Sequence, residues 1–152
     1  MKCIIRFAKL NDCKAIHALI KELAILVKAE DQLKITPNQL EKDGFGNSPA
    51  FKAFVAEENN EIVGTAIFFE KYSTWKGRSL YLEDLVVKKT HRGKNIGTLL
   101  FNAVRKYAKE NSAQRMDWQV YSFNKPALEF YKKHNATLEE GWVNGYIQKD
   151  NL

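Results

Sequence analysis

The sequence contains little cysteine, proline or glycine: two, three and eight residues of 152. Cys3 and Cys13 are too few for the disulfide framework that holds small secreted domains together, so a reducing compartment is expected. Neither cysteine has an obvious base near it in the sequence, which leaves little support for a nucleophilic thiol. Repeats, low-complexity tracts and linkers are also absent. We therefore predict one domain over residues 1–152, long enough for a full core.

Long apolar runs and a secretory leader are missing as well. No stretch has the roughly 20 apolar residues that cross a bilayer, so no membrane partner is expected. The opening segment MKCIIRFAKLNDC soon becomes charged and contains no small-residue cleavage site, which argues against a secretory signal. The composition, 45% hydrophobic and 28% charged, is ordinary for a globular protein. The expected location is the cytoplasm.

Acidic residues are scarce relative to basic ones in the second half of the chain. The net charge is +6; residues 1–76 carry 11 Lys and Arg against 10 Asp and Glu, whereas residues 77–152 carry 13 against 8. Such an excess suggests an anionic partner, either nucleic acid or a phosphate-bearing cofactor, although a solvated lysine-rich surface explains much of it. No basic helix interleaved with aromatics and no zinc-finger spacing is present, so no nucleic-acid partner is expected.

The first third of the chain reads as a strand followed by two helices. CIIRFAK is typical of a strand, and Asn11 or Asp12 can cap a helix whose apolar residues follow the 3.6 period: Ile16, Leu19, Ile20, Leu23 and Val27. A shorter helix is predicted from Thr36 as N-cap, with Pro37 in its first turn and Gln39 completing a capping box. Gly44 is expected to end that helix.

The remainder alternates strands and helices. FKAFVAEE and EIVGTAIFFEKY flank a predicted hairpin turn at Asn59-Asn60, and RSLYLEDLVVKK follows a second turn at Lys76-Gly77. An amphipathic helix is predicted from Ile96 to Ala108, then a strand RMDWQVYS, a short helix NKPALEFYKKHN and a last strand GWVNGYIQK. Because antiparallel-type strands lead into βαβ units, the predicted sheet is mixed.

Acid and base stand side by side in YLEDLVVKKTHRGKNIGTLL, residues 81–100. Glu83 and Asp84 interrupt an apolar strand, and four cations follow at once: Lys88, Lys89, Arg92 and Lys94. A glycine turn before a helix can point several backbone N–H groups at one phosphate, and the helix dipole assists. Neither a Walker loop nor a Rossmann fingerprint is present. An ordinary left-handed turn is the competing interpretation of the glycines.

In this context the sequence resembles the GNAT superfamily of N-acetyltransferases. Their acetyl-coenzyme A motif, Q/R-x-x-G-x-G/A, here reads Arg92-Gly93-Lys94-Asn95-Ile96-Gly97. The resemblance is closer still to the diamine (spermidine/spermine) and thialysine acetyltransferases, since IKELA, DGFG, LYLED, RG..IG, EFYKK and EEGW stand in that family's order over residues 20–142. It implies an α/β (α+β) fold with a mixed, mostly antiparallel central sheet flanked by helices, and a cytoplasmic homodimer.

The resemblance also assigns the contacts of acetyl-coenzyme A, the co-substrate of the family. Its pyrophosphate would lie against the loop residues Arg92, Gly93, Lys94, Asn95, Ile96, Gly97 and Thr98. Leu85, Val86 and Val87 would offer backbone groups to the acetyl and pantetheine arm, and the Leu85 N–H would polarise the thioester carbonyl. Asn124 would contact coenzyme A, which is compatible with capping a helix.

The implied reaction is the attack of a free amine on a thioester. An alkylamine has a pKa of ~10.4 and arrives protonated, so the site must bind an ammonium group and then remove its proton. Carboxylates in a strand can do both. By resemblance Glu83 is the substrate-side carboxylate and general base. Adjacent strand residues point to opposite faces, so Asp84 is either a structural acid or a separate substrate contact.

Four further residues are candidates for the site. Tyr131 in EFYKK matches the family's tyrosine near the leaving sulfur, where a phenol can protonate the thiolate; the alternative is a core aromatic on an amphipathic helix. Trp75 and Glu140 match positions near the amine end of the substrate. Gln119 lies on the predicted strand beside the cofactor, where its identity departs from the polyamine enzymes.

Two departures from the family bear on cofactor and substrate. Asn95 replaces a glycine, but asparagine also tolerates the left-handed conformation. Leu26 and Val27 stand where the polyamine enzymes carry a tyrosine–glutamate pair that contacts substrate, and an apolar pair cannot bind a distal ammonium group. A short amine or a lysine-like amino acid is therefore expected to be preferred over spermidine. The three histidines show no metal spacing, and no metal is expected.

The sequence thus predicts an enzyme that transfers the acetyl group of acetyl-coenzyme A to the primary amine of a small aliphatic molecule. The candidates are a diamine, a polyamine or a lysine-like amino acid such as thialysine. The alternative is a non-catalytic domain that binds acetyl-coenzyme A as a sensor or docks to a partner. The presence of both Glu83 and Tyr131 favours catalysis.

Overall fold

One sheet of five strands, in the order β1–β2–β3–β4–β5, organises the first part of the chain in a computed structural model that describes residues 2–152. The strands are β1 (Ile4–Phe7), β2 (Lys52–Glu58), β3 (Glu61–Ser73), β4 (Gly77–Val87) and β5 (Arg115–Asp117). The first four are antiparallel neighbours, and β5 is parallel to β4. This confirms the predicted mixed, mostly antiparallel sheet.

The structure divides into two compact units, residues 2–119 and residues 120–152. The first contains the sheet and three helices, α1 (Cys13–Leu26), α2 (Pro37–Phe45) and α3 (Ile96–Glu110). The second contains α4 (Lys125–Lys133). Short 3-10 turns lie at Leu10–Asp12, Glu30–Gln32, Lys89–His91 and Lys149–Asn151. The single domain predicted from the sequence stays a prediction.

The sheet in the first unit is packed on both faces. On one face Ala53, Val55 and Ile67 form a buried cluster with residues of α1 and α2: Cys13, Ile16 and Leu40. On the other face the rings of Phe54 and Phe68 lie 5.4 Å apart, and the Tyr107 ring of α3 is 5.0 Å from Phe68. The side chains of consecutive β2 residues therefore point to opposite faces of the sheet, as the two-residue period of a strand requires.

The start of α2 was predicted correctly and its end was not. The Gln39 N–H donates to Thr36 Oγ1 at 3.2 Å, so Thr36 is the N-cap. The Gln39 side chain donates to Asp43 at 2.8 Å instead of returning to Thr36, so the capping box is incomplete. Gly44 lies inside the helix, which continues to Phe45. A Cβ at Gly44 would clash with the Phe51 ring, so packing explains this glycine.

The hairpin between β2 and β3 turns where the sequence predicted. Asn59 and Asn60 have φ of 53° and 62°, the left-handed pair that a two-residue hairpin turn needs. Asparagine adopts this conformation more readily than most residues because its short side chain can hydrogen-bond locally.

The last predicted strand, residues 141–149, is wrong. The structure has no strand there, and residues 137–152 are exposed, including Trp142 at 80% and Val143 at 94%. β5 is also shorter than predicted and ends at Asp117. A segment of strand-like composition forms a strand only when the edge of a neighbouring strand accepts its hydrogen bonds. The pattern of a single sequence does not show whether such a neighbour is present.

Candidate active site

β4 loses its neighbour β5 halfway along its length. The parallel pairing covers Ser79–Tyr81 against Arg115–Asp117 and then stops. Beyond Tyr81, β4 continues to Val87 and remains paired with β3 on its other side. Within residues 2–119, no strand covers the open side of residues 82–87. Alternate N–H and C=O groups of Leu85, Val86 and Val87 are therefore available to an extended molecule lying along this edge.

A β-bulge interrupts β4 at its two adjacent carboxylates. Leu82 pairs with Phe68 and Asp84 with the preceding residue Ile67, so Glu83 is an extra residue without a partner on β3. The extra residue interrupts the alternation of side chains. The expectation that Glu83 and Asp84 lie on opposite faces rested on regular alternation and stays a prediction at this bulge. Asp84 shares a face with its partner Ile67, which belongs to the cluster packed against α1 and α2.

The pKa values around the bulge follow from burial and from mutual repulsion. Burial, and secondarily the charge of Glu83, raise the pKa of Asp84 from 3.8 to about 6. Burial also raises the pKa of the Tyr81 phenol, with smaller contributions from Glu83, Asp117 and Asp84. Glu83 itself is exposed. Three carboxylates thus surround one phenol at the point where β4 and β5 separate.

The Glu83 and Asp84 carboxylates differ from Asp117 in having no cation of their own. Asp117 is paired with Lys71 at 3.5 Å and with Arg115. In the part of the chain that the structure describes, neither bulge carboxylate has an ion pair or a side-chain hydrogen bond. An ammonium group placed here would relieve the repulsion between them, so the pair has the chemistry of a cation site.

The loop that follows β4 ends in backbone N–H groups without helical partners. Gly93 and Asn95 are left-handed, with φ of 77° and 64°, and Asn95 is the N-cap of α3. Its side chain makes no capping hydrogen bond, and the first intrahelical bond runs from the Leu99 N–H to the Asn95 carbonyl at 3.1 Å. The N–H groups of residues 96–98 therefore have no helical partner, which makes this end of α3 suited to a phosphate.

The cations of the loop are largely neutralised by carboxylates of the protein. Arg92 lies 3.3 Å from Glu22, and Lys94 lies 3.7 Å from Glu58, which also contacts His91 at 3.3 Å. Because these side chains already have partners, backbone N–H groups and the helix dipole carry more of the attraction for an anion than the sequence suggested.

Gly64 of β3 brings the start of α3 close to the sheet. A Cβ at this position would lie 3.0 Å from Leu100 Cδ1, 3.2 Å from the Val86 carbonyl oxygen and 3.4 Å from Ile96 Cγ2. Ile96 and Leu100 are both buried. The glycine therefore sets the distance between the open stretch of β4 and the helix end that follows it.

Trp75 and Gln119 are also predicted to contact the substrate, and these roles stay predictions. Trp75 is 87% exposed in the β3–β4 turn. Glu83 is six positions along β4 from Gly77, which corresponds to about 20 Å at about 3.3 Å per residue. The structure therefore does not bring Trp75 to the bulge. Gln119 is exposed at the end of the first unit.

Three predicted site residues lie in the second unit. Asn124 caps α4, since its Oδ1 accepts from the Ala127 N–H at 3.3 Å, as predicted. Tyr131 is buried on α4, with its ring 5.3 Å from that of Phe130. Glu140 is exposed and lies outside any helix or strand. Their roles toward substrate and cofactor stay predictions.

Two contributors to the site were missed from the sequence. The bulge at Glu83 leaves no composition signal, because it is a property of pairing between strands. Glu22 of α1 contacts the loop 67 residues later, at the Lys89 N–H. Its only sequence signal is its place in the IKELA motif.

Two surface cavities lie away from this site. Both include Glu70 and Leu80, and one also includes Ala108 and Asn111 at the C-terminal end of α3. The loop and the bulge lie toward the other end of that helix. The chemistry of the site, an open strand edge followed by a helix N-terminus, is what marks it as the candidate.

Within residues 2–152, no group of three or more His, Cys, Asp and Glu side chains is arranged to hold a metal ion. In that same range, no helix is both long enough and apolar enough to span a bilayer.

Comparison with known proteins decides the family. The model of the acetyltransferase (GNAT) family matches residues 20–136. The chain belongs to the GNAT acetyltransferase family. It is 39% identical over 150 residues to the thialysine N-epsilon-acetyltransferase of Bos taurus, covering 91% of this chain and 88% of the relative. It is also 33% identical to the spermidine/spermine N(1)-acetyltransferase-like protein 1 of Homo sapiens, covering 91% of this chain and 21% of that protein.

Solved structures agree on the fold. The GNAT chain superposes on an aminoglycoside acetyltransferase from an uncultured soil metagenomic sample with a TM-score of 0.77 and 24% identity, covering 96% of this chain and 95% of the other. This confirms the predicted GNAT fold, and the family and its relatives identify the protein as an N-acetyltransferase.

Proposed function

We propose that the protein transfers the acetyl group of acetyl-coenzyme A to the primary amine of a small aliphatic molecule. The observation that carries this proposal is the bulge, which places two carboxylates without cations beside an open strand edge. A loop and then the N-terminus of α3, which is suited to a phosphate, follow that edge. The first element suits an ammonium substrate and the second suits the pyrophosphate of coenzyme A.

On the cofactor side, backbone groups do most of the binding. The N–H groups of residues 96–98 hold the pyrophosphate, and the open edge at Leu85, Val86 and Val87 holds the pantetheine arm by strand-like hydrogen bonds. Asn124 contributes a further contact, as the family resemblance implies. The Leu85 N–H polarises the thioester carbonyl and stabilises the oxyanion that forms when the amine attacks.

On the amine side, Glu83 and Asp84 hold the ammonium group and Glu83 removes its proton through water. The freed nitrogen attacks the thioester carbon, the carbon–sulfur bond breaks, and the nitrogen releases its excess proton to water as the amide forms. Tyr131 donates its phenolic proton to the departing thiolate. Trp75, Glu140 and Gln119 remain candidates for contacts to the rest of the amine.

The proposed substrate is a short amine or a lysine-like amino acid such as thialysine. Leu26 is 52% exposed at the end of α1 and offers no charge to a distal ammonium group. An ammonium group held against an apolar surface loses hydration without compensation, which disfavours spermidine. The names of the relatives, which include several thialysine N-epsilon-acetyltransferases, point the same way.

Assembly and location form part of the same proposal. By analogy with the family we propose a homodimer in the cytoplasm. Sedimentation velocity at micromolar concentration measures the first directly: a species of twice 17.5 kDa supports the dimer, and a monomer alone contradicts it.

The site-level test replaces the bulge glutamate. Glu83→Gln keeps the shape of the side chain and removes the charge, so we expect kcat/KM for the amine to fall on the order of 10²-fold. The affinity for acetyl-coenzyme A, measured by calorimetry, should change less than twofold because Glu83 lies on the amine side. Glu110→Gln, the same change on an exposed residue at the far end of α3, is the control. Equal kcat/KM values for the two variants would contradict the proposal.

A further inference from the structure

One carboxylate of α1 fastens the loop that precedes α3. Glu22 Oε1 accepts from the Lys89 backbone N–H at 2.6 Å and lies 3.3 Å from Arg92 Nη2. Arg92 Nε in turn donates to the Val87 carbonyl at 3.0 Å. The loop is therefore tied to α1 and to the end of β4 through the same arginine.

These contacts bracket a short turn. Lys89 begins the 3-10 turn Lys89–His91 and Arg92 follows it, so Glu22 touches both of its ends. The next residues include two left-handed ones, Gly93 and Asn95. A chain with such conformational freedom pays an ordering cost on binding unless it is held beforehand.

We propose that Glu22 is a positioning residue for the cofactor. It holds the turn so that the N–H groups at the start of α3 already face the pyrophosphate when acetyl-coenzyme A arrives. This inference rests on the proposed function, because it concerns the loop assigned there to the pyrophosphate. Glu22 itself touches no ligand and acts through Lys89 and Arg92.

Simple electrostatics predicts the opposite effect. Glu22 is an anion close to a site for an anionic ligand, so charge alone would make its removal tighten binding. Removal would also free the Arg92 guanidinium to approach the phosphate. A positioning role predicts weaker binding in spite of the added positive charge. The sign of the change therefore distinguishes the two explanations.

The structure also offers a matched control. Glu61 forms an ion pair with Lys88, the residue just before the turn. Glu61→Gln removes the same charge from the neighbouring ion pair and leaves the contacts to Lys89 and Arg92 in place. Any effect of net charge on coenzyme A binding appears in this variant as well.

The experiment is calorimetric titration of the full chain and its variants with acetyl-coenzyme A. We expect Glu22→Ala to raise Kd by about fivefold or more, because it loses a charge-assisted hydrogen bond to the loop backbone. Glu22→Gln should lie between Ala and the wild type, since its carbonyl oxygen still accepts from Lys89. Glu61→Gln should leave Kd unchanged or lower it. KM for acetyl-coenzyme A should rise with kcat changing less than twofold.

The outcomes separate this inference from the function on which it rests. A wild-type chain that does not bind acetyl-coenzyme A overturns the proposed function. A wild type that binds, with Kd in Glu22→Ala unchanged or lowered, overturns the positioning role alone. Thermal unfolding without ligand completes the test: a Glu22→Ala variant whose loss of affinity is matched by partial unfolding at the assay temperature also overturns it.

Discussion

At the scale of single residues, Asp84 couples the site to stability. Its pKa of about 6 in the folded chain exceeds its ordinary value of 3.8. Between those values the folded state holds a proton that the unfolded state has lost. The contribution of Asp84 to the free energy of unfolding is therefore most favourable below pH 4. It declines as the pH rises to about 6, and above that pH the ionised carboxylate destabilises the folded state.

Because ionised Asp84 lowers stability at high pH, a prediction follows for Asp84→Asn. The variant cannot ionise, so above pH 7 it should be more stable than the wild type by about 1–3 kcal/mol in its free energy of unfolding. The difference should shrink toward pH 4. Urea denaturation from pH 4 to pH 8 measures both. Asp150→Asn, on an exposed residue, serves as control. A wild-type advantage at pH 8 would show that Asp84 is a structural acid with a stabilising partner.

Tyr131 can be tested by removing one atom. Tyr131→Phe keeps the buried ring and deletes only the proton donor, so the variant should still fold. General acid catalysis contributes on the order of 10²–10⁴ in rate, and kcat should fall accordingly. Tyr72→Phe, on a residue that is 71% exposed, is the matched control. If kcat falls less than about threefold with chemistry rate-limiting, Tyr131 is a packing residue.

At the scale of elements, local signals were reliable and pairing signals were not. The turn at Asn59-Asn60 and the N-cap Thr36 depend on residues close in sequence, and both were predicted correctly. The bulge at Glu83 and the absent strand at residues 141–149 depend on which edge lies alongside. A sequence pattern indicates which face of a strand is buried, but it does not indicate which strand pairs with it. Both errors follow from this.

The packing of α3 on the sheet gives a prediction at this scale. In Gly64→Ala the new methyl group meets the Val86 carbonyl oxygen, which belongs to the backbone of β4 and cannot rotate away. We expect a loss of about 1–3 kcal/mol in the free energy of unfolding. Gly145→Ala, where nothing lies within 4 Å, should change it by less than about 0.5 kcal/mol. Equal values for the two variants would show that α3 does not press on β3.

At the scale of the whole molecule, net charge was a weaker guide to the binding groups than the sequence motifs. The basic excess of residues 77–152 suggested an anionic partner, yet Arg92 and Lys94 of the loop are paired with glutamates from the first 76 residues. The six motifs in family order were the stronger signal, because each carries chemistry at a defined place in the chain. They predicted the family, which the comparison confirmed. The residues that hold the loop in place were visible only in the structure.

The most direct test of the account follows both products of one reaction. The chain is incubated with acetyl-coenzyme A and, in turn, thialysine, lysine, putrescine and spermidine, and free thiol and acetylated amine are quantified together. We predict one acetylated amine for each thiol released, with kcat/KM for the best short or lysine-like amine at least about tenfold above that for spermidine. Binding of acetyl-coenzyme A without thiol release for any amine would contradict acetyl transfer and indicate a sensor. A tenfold preference for spermidine would contradict the role assigned to Leu26 and Val27.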